Sequence, residues 1–233
     1  MYAIITGASR GIGNAIAKKL VAEGVHVAIC ARNAEHLQSA VAELQQINSN
    51  VEIISQVCDL SKKEEVLAFG KFVVETFPCI DILINNAGVF IPGEIHLEAD
   101  GLLEKLMETN LFSAYHLTRS IVPSMIKNNK GHIINISSVA GLQPYEHGGS
   151  YSISKYALQG FSKNLRNELK TFGIKVTTVN PGATMSDSWS GSQIDPSRIL
   201  EAKDIADSIW NTLQLSPQAV VEDIIIRPLL GDL

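Results

Sequence analysis

Short apolar runs rich in valine and isoleucine recur along the chain, and longer stretches with helical spacing of apolar residues separate them. Runs of this length and composition are typical of parallel strands that are buried on both faces. The pattern predicts seven strands, at residues 3–6, 25–30, 51–57, 81–86, 132–137, 175–180 and 220–226.

The stretches between the strands predict helices. Ile12, Ile16 and Leu20 fall on one face of a helix over residues 11–23. Ser61 is predicted to be the N-cap of another helix, because Glu64 follows it at the capping-box position. The other predicted helices cover residues 35–47, 98–127, 151–171 and 202–214.

Strands that alternate with crossover helices indicate an α/β fold. We expect one doubly wound, Rossmann-type parallel sheet of about seven strands, with helices on both faces. The sequence contains no evident linker or repeat, so residues 1–233 are predicted to form a single domain. Residues 182–198 are rich in Gly, Ser, Asp and Pro and are predicted to form a substrate loop.

Composition narrows the class of protein. Hydrophobic residues make up 45% of the 233 residues and charged residues 18%, which is typical of a globular protein. A net charge of −5 argues against a general nucleic-acid surface, because phosphate binding needs clustered Lys and Arg. No basic leader and no apolar stretch of spanning length is evident, so we expect a cytoplasmic protein with no membrane partner.

The cysteines and histidines predict neither a disulfide framework nor a metal site. Cys30, Cys58 and Cys79 are odd in number and lack the CxxC spacing of zinc sites. All three lie in or beside apolar stretches, where cysteine usually acts as a small buried hydrophobe. The histidines also lack metal-ligand spacing.

A glycine-rich turn follows the first predicted strand, between Thr6 and Gly13, with the sequence TGASRGIG. Glycines at a strand-to-helix turn let the backbone approach a diphosphate, and the helix N-terminus presents free N–H groups to it. The spacing differs from the common G-x-G-x-x-G pattern, and the glycines could simply serve the turn. We favour dinucleotide binding.

The end of the second predicted strand bears on the choice of cofactor. A carboxylate there would bind a ribose with a free 2′-hydroxyl, but the sequence has Arg32 and no acid. A guanidinium suits a 2′-phosphate, and Arg10 could add a second positive charge. Arg32 could also be a solvated residue at a helix start. The missing acid favours NADP over NAD.

Tyr151 and Lys155 are four residues apart at the start of a predicted helix and therefore share one face. A tyrosine hydroxyl has a pKa near 10, and a neighbouring ammonium is expected to lower it. Ser138 follows the fifth predicted strand, at the sheet edge where such folds bind ligands. A Tyr–Lys pair alone is common on protein surfaces, but this placement predicts a catalytic constellation.

The ordered motifs along the chain resemble those of the short-chain dehydrogenase/reductase family over nearly the full length. They are TGASRGIG at 6–13, Asp59 in CDL, NNAG at 85–88, Asn110 in TNLF, Ser138 in NISS, YSISK at 151–155 and NPG at 180–182.

The resemblance implies catalytic roles at four positions. Tyr151 would be the general acid in reduction, and Ser138 would donate a hydrogen bond to the substrate carbonyl. Lys155 would lower the pKa of Tyr151 and hold the nicotinamide ribose. Asn110 would support a water that links Lys155 to solvent.

The resemblance also implies a set of residues that contact NADP(H). Thr184 would hold the nicotinamide carboxamide with help from Ser186, at a position where many family members have Thr. The full predicted set is Gly7, Ser9, Arg10, Gly11, Ile12, Gly13, Arg32, Asp59, Leu60, Asn86, Ala87, Gly88, Tyr151, Lys155, Pro181, Gly182, Thr184 and Ser186.

These observations predict an NADPH-dependent reductase of a small-molecule ketone or aldehyde, with 3-oxoacyl thioesters, pterins, sugars and steroids all open as substrates. An NAD-dependent alcohol dehydrogenase and a non-catalytic NADP-binding regulatory protein stay as alternatives. The resemblance further implies a homodimer or homotetramer.

Overall fold

A computed structural model describes residues 1–185 and 195–232 of the protein. In this part of the chain, seven parallel strands form one sheet in the order β3-β2-β1-β4-β5-β6-β7. The strands are β1 Tyr2–Thr6, β2 His26–Ala31, β3 Ile53–Val57, β4 Ile82–Asn85, β5 Gly131–Ile136, β6 Ile174–Pro181 and β7 Asp223–Ile226. The predicted single-domain, doubly wound α/β fold is confirmed.

Helices cover both faces of this sheet. They are α1 Gly11–Ala22, α2 Ala34–Ile47, α3 Lys63–Thr76, α4 Leu102–Met107, α5 Ser113–Asn128, α6 Gly149–Leu169 and α7 Ala202–Leu213. One buried apolar cluster contains Ile16 of α1, Leu44 of α2 and Ile209 of α7. The other contains Phe69 of α3 and Leu117 of α5, on the opposite face. Burial of both faces explains why the strand sequences are almost continuously apolar.

The predicted helix over residues 98–127 differs in two ways. Gly101 adopts a φ of +86°, a left-handed conformation that no regular helix contains, so α4 begins only at Leu102. Residues Glu108–Phe112 then form a π-helical turn between α4 and α5. Such turns occur often at functional sites, and this one contains Asn110.

The predicted N-cap at Ser61 is wrong. The N-cap of α3 is Lys62, and the Ser61 hydroxyl instead donates a hydrogen bond of 2.8 Å to the carboxylate of Asp59. The Ser61 hydroxyl is therefore not available to cap α3. An aspartate side chain readily closes a local turn by accepting hydrogen bonds from the residue two positions later. Three strands are also shorter than predicted: β3 starts at Ile53, β4 covers only Ile82–Asn85, and β7 starts at Asp223.

Strand β1 pairs with β2 on one side and with β4 on the other, so the direction of winding reverses there. Ligands of doubly wound sheets bind beyond the carboxyl ends of the strands at this reversal. Within the described ranges, no helix is both long enough and apolar enough to cross a membrane.

Candidate active site

A cleft of about 420 Å³ opens at the carboxyl ends of the strands, beside the reversal between β1 and β4. Its lining brings together most of the residues that the sequence predicted to hold a dinucleotide. These are Gly7, Ser9, Arg10, Gly11, Ile12, Gly13, Arg32, Asp59, Leu60, Asn86, Ala87, Gly88, Tyr151 and Lys155.

The glycine-rich turn fits the backbone of a diphosphate-binding loop. Gly7 and Gly11 have φ values of +64° and +57°, where a side chain would be strained. A Cβ on Gly13 would overlap the Gly7 carbonyl oxygen and Asn86 Nδ2. Absence of a side chain at these positions keeps the start of α1 open to the cleft, so its N–H groups and positive dipole end can meet an anion.

Thr6 and Asn86 join this turn to the segment after β4. The Asn86 amide donates hydrogen bonds to the Thr6 and Gly7 carbonyl oxygens, at 2.8 and 3.1 Å. In return, Thr6 Oγ1 accepts from the backbone N–H groups of Asn86 and Ala87, both at 3.0 Å. These contacts fix the two loops that form the middle of the cleft.

Asp59 and Arg32 lie at the far end of the cleft from Tyr151. Burial raises the pKa of Asp59, but hydrogen bonds from Ser61 and the charges of Lys62 and Arg32 outweigh it and hold the pKa below its usual value. The carboxylate is therefore ionised at neutral pH and can accept hydrogen bonds. Arg32 is exposed just after β2, where it lines the cleft and can contact a ligand.

Lys155 is buried within α6. Its Nζ donates a hydrogen bond of 3.0 Å to the Ile136 carbonyl oxygen and lies 5.8 Å from the centre of the Tyr151 ring. Burial lowers the pKa of Lys155 to about 8 from its ordinary value of 10.5. The ammonium form still predominates at pH 7, but burial makes it less favourable than it would be in water.

The Tyr151 hydroxyl lies in a desolvated environment. Burial raises the pKa of its hydroxyl, and a hydrogen bond with Ser138 offsets only part of this effect. A lowering of this pKa by Lys155 stays a prediction, because desolvation of the phenolate dominates the direction of the shift. Tyr151 is therefore a neutral hydrogen-bond donor at physiological pH.

Asn110 is buried and does not line the cleft itself. Its Oδ1 accepts from the Val89 N–H at 2.8 Å, and its Nδ2 donates to the Val89 carbonyl at 3.0 Å and to Ser154 Oγ at 2.9 Å. A Cβ on Gly88 would lie 3.3 Å from Lys155 Nζ. Asn110 thus holds the loop after β4 close to Lys155, while its predicted contact with a water stays a prediction.

The remaining predicted residues lie around the carboxyl end of β6. Pro181 ends that strand, and the Thr184 hydroxyl donates to the Gly182 carbonyl at 2.9 Å. These three residues are not among the described residues that line the cleft. Ser186 and most of the predicted loop 182–198 fall outside the described residues.

Comparison with known proteins identifies the family and supports the fold. The sequence pattern of the short chain dehydrogenase family matches residues 1–195. The chain belongs to this family. As a short-chain dehydrogenase, it is an oxidoreductase that acts on small molecules with a nicotinamide dinucleotide.

Relatives of this short-chain dehydrogenase cover almost its whole length. An uncharacterized oxidoreductase of Staphylococcus epidermidis is 31% identical over 226 residues, which is 97% of this chain and 96% of the relative. A metagenomic short-chain oxidoreductase in complex with NADP is 35% identical, covers 99% and 98% of the two chains, and superposes with a TM-score of 0.85. An alcohol dehydrogenase from the archaeon Thermococcus sibiricus, complexed with 5-hydroxy-NADP, is 26% identical, with coverage of 100% and 98% and a TM-score of 0.92.

Several lining residues were missed by sequence reasoning. The ring of Phe90 packs edge-on against the ring of Tyr151, with 4.8 Å between centroids. Its position two residues after the NNAG motif was the only available signal. The other missed residues are Ala31, Asn33, Cys58, Val89, Thr109, Ile136 and Ser137.

Gly13→Ala tests the fit of the glycine-rich turn. The added methyl would overlap the Gly7 carbonyl oxygen and Asn86 Nδ2, and both would have to move away from it. We therefore expect a loss of stability of about 1–3 kcal/mol and weaker NADPH binding. Denaturant unfolding and a fluorescence titration with NADPH measure these effects. Gly160→Ala is the control, since a Cβ there meets no heavy atom of the described chain within 4 Å; an equal loss in both variants would contradict the close approach.

The buried charge of Lys155 predicts a dependence of stability on pH. Between the folded pKa of about 8 and the unfolded value of 10.5, the unfolded chain binds more protons at this residue. The stability of the wild type relative to Lys155→Met should therefore rise with pH across this window, by up to about 3 kcal/mol. Urea unfolding at a series of pH values measures it, with exposed Lys163→Met as the matched control; a flat difference for Lys155 would refute the buried charge.

Proposed function

We propose that the protein is an NADPH-dependent reductase that converts a ketone or aldehyde into an alcohol. One observation carries this proposal: Tyr151, with its hydroxyl beside Ser138 and its ring 5.8 Å from Lys155 Nζ, lines the same cleft as the glycine-rich turn. A protonated phenol suits a group that must give a proton to a substrate oxygen. Reduction of a carbonyl needs such a donor at the substrate oxygen.

Bound NADPH would supply a hydride to the carbonyl carbon. The protein supplies the rest of the chemistry. Hydroxyl groups of Ser138 and Tyr151 stabilise the negative charge that develops on the carbonyl oxygen. Tyr151 then transfers its proton to that oxygen, and Lys155 stabilises the phenolate that remains until the proton is replaced.

The cleft offers separate groups for the parts of the dinucleotide. The glycine-rich turn and the start of α1 suit the diphosphate, and Asp59 and Leu60 suit the adenine. Arg32 and Arg10 suit the 2′-phosphate of NADP. Lys155, Pro181, Gly182, Thr184 and Ser186 are proposed to contact the nicotinamide half.

We also propose that the protein assembles as a homodimer or homotetramer through α5 and α6. Apolar side chains on these helices are partly exposed, including Tyr115, Ile153 and Tyr156, which are 38%, 39% and 45% accessible. The predicted cytoplasmic location and the role of residues 182–198 as a substrate loop stay predictions.

Tyr151→Phe removes the proposed proton donor and leaves the ring in place. We expect kcat for NADPH oxidation to fall by about a hundredfold to ten-thousandfold, with NADPH affinity preserved. The assay follows NADPH absorbance with 2,3-butanedione and ethyl acetoacetate as probe carbonyls. Tyr2→Phe, at the start of β1 and outside the cleft lining, is the control, and full turnover by Tyr151→Phe would reject the proposed role.

Arg32→Ala tests the choice of cofactor. Loss of a charged hydrogen bond to phosphate should weaken NADPH binding by about tenfold to a hundredfold and leave NADH binding nearly unchanged. Calorimetric titration of the wild type with both cofactors gives the reference. Lys71→Ala, on the exposed face of α3, controls for the loss of a positive charge; equal effects of Arg32→Ala on the two cofactors would contradict a 2′-phosphate contact.

A further inference from the structure

We propose that Glu98 is a positioning residue that fixes the start of α6, and with it Tyr151, against the loop after β4. The inference rests on the proposed function of Tyr151. Glu98 lies outside the cleft lining and outside every motif found in the sequence, and it acts through Ser150, the residue before Tyr151.

Helix α6 cannot cap its own N-terminus with a side chain. Its N-cap is Gly148, so the free N–H groups of the first turn need an acceptor from elsewhere. Glu98, 52 residues earlier, supplies it: Oε1 accepts from the Ser150 N–H at 2.8 Å, and Oε2 accepts from the Ser150 hydroxyl. A carboxylate is also favoured at this positive end of the helix dipole.

Two glycines make room for this carboxylate. Gly149 has a φ of +38°, and a Cβ there would overlap Glu98 Oε1 and approach the Gly93 carbonyl oxygen to 2.7 Å. A Cβ on Gly93 would lie 2.8 Å from Glu98 Cγ and from Oε1. The Gly93 N–H also donates to the His147 carbonyl at 2.9 Å, so the two loops meet along their backbones.

The segment from Val89 to Glu98 is thereby held at both ends. Asn110 binds the backbone N–H and carbonyl of Val89, and Glu98 binds Ser150. Between these anchors, Phe90 packs on the ring of Tyr151. Release of the Glu98 end would let the first turn of α6 move relative to Phe90 and Ser138, and displacements of about 1 Å at a reacting group can cost a hundredfold in rate.

The kinetic test compares Glu98→Ala and Glu98→Gln with the wild type, using NADPH and 2,3-butanedione. We expect Glu98→Ala to lower kcat by about tenfold or more while the affinity for NADPH stays unchanged. Glu98→Gln keeps an acceptor oxygen for the Ser150 N–H and should recover part of the loss. Glu94→Gln removes the same charge from the same segment and should match the wild type, because its carboxylate contacts only exposed histidines among the described residues.

A second measurement needs no carbonyl. Hydrogen–deuterium exchange at the amides of residues 150–152 should be faster in Glu98→Ala than in Glu94→Gln, with the exchange of β4 and β5 unchanged. If Glu98→Ala fails to fold, Ser150→Ala removes one of the two hydrogen bonds and gives the same comparison.

The outcomes separate the two proposals. Unchanged exchange, or faster exchange with wild-type kcat, overturns the positioning role of Glu98. The proposed function is overturned if the wild type shows no turnover or if Tyr151→Phe shows full turnover. In that case, hydrogen–deuterium exchange at the Tyr151 amide still decides whether Glu98 fixes the start of α6. A fall in NADPH affinity equal to the fall in kcat would indicate a merely structural role and would also overturn the proposal.

Discussion

The parallel pairing of β1 with β4 is the constraint on which the site depends. It brings the turn after β1 and the loop after β4 to one edge of the sheet, although about 80 residues separate them in sequence. The hydroxyl of Thr6 then accepts two backbone hydrogen bonds from that loop, and the amide of Asn86 returns two. Without this pairing, the glycine-rich turn and the loop after β4 would not line one cleft.

Burial governs the chemistry on the catalytic side. It lowers the pKa of Lys155 and raises that of Tyr151, so the two groups are driven towards their neutral forms. A negatively charged dinucleotide would bring counter-charge close to Lys155 and would favour its ammonium form. The state of the Tyr–Lys pair is therefore expected to depend on whether the cofactor is bound.

Much of the fold and the site followed from the sequence because the relevant signals are local. Apolar β-branched runs identified the strands, and the glycines between Thr6 and Gly13 identified a turn that lines the cleft. The direction of the Tyr151 shift did not follow, because a spacing of four residues shows that Lys155 is near but not how deeply both side chains are buried. Phe90 and Glu98 were missed because their contacts with Tyr151 and Ser150 join distant segments that no single pattern connects.

The π-helical turn at Asn110 limits how the protein can change in evolution. In a helix each residue turns the chain by about 100°, so an extra residue in one turn sets the angular offset between α4 and α5. Deletion of one residue there would rotate α4 by about 100° around its own axis relative to α5. Leu106 would then leave its buried position. Point substitutions in this region can accumulate, but a one-residue deletion would cost both the packing of α4 and the orientation of Asn110, so homologues with this site should keep the helix length constant.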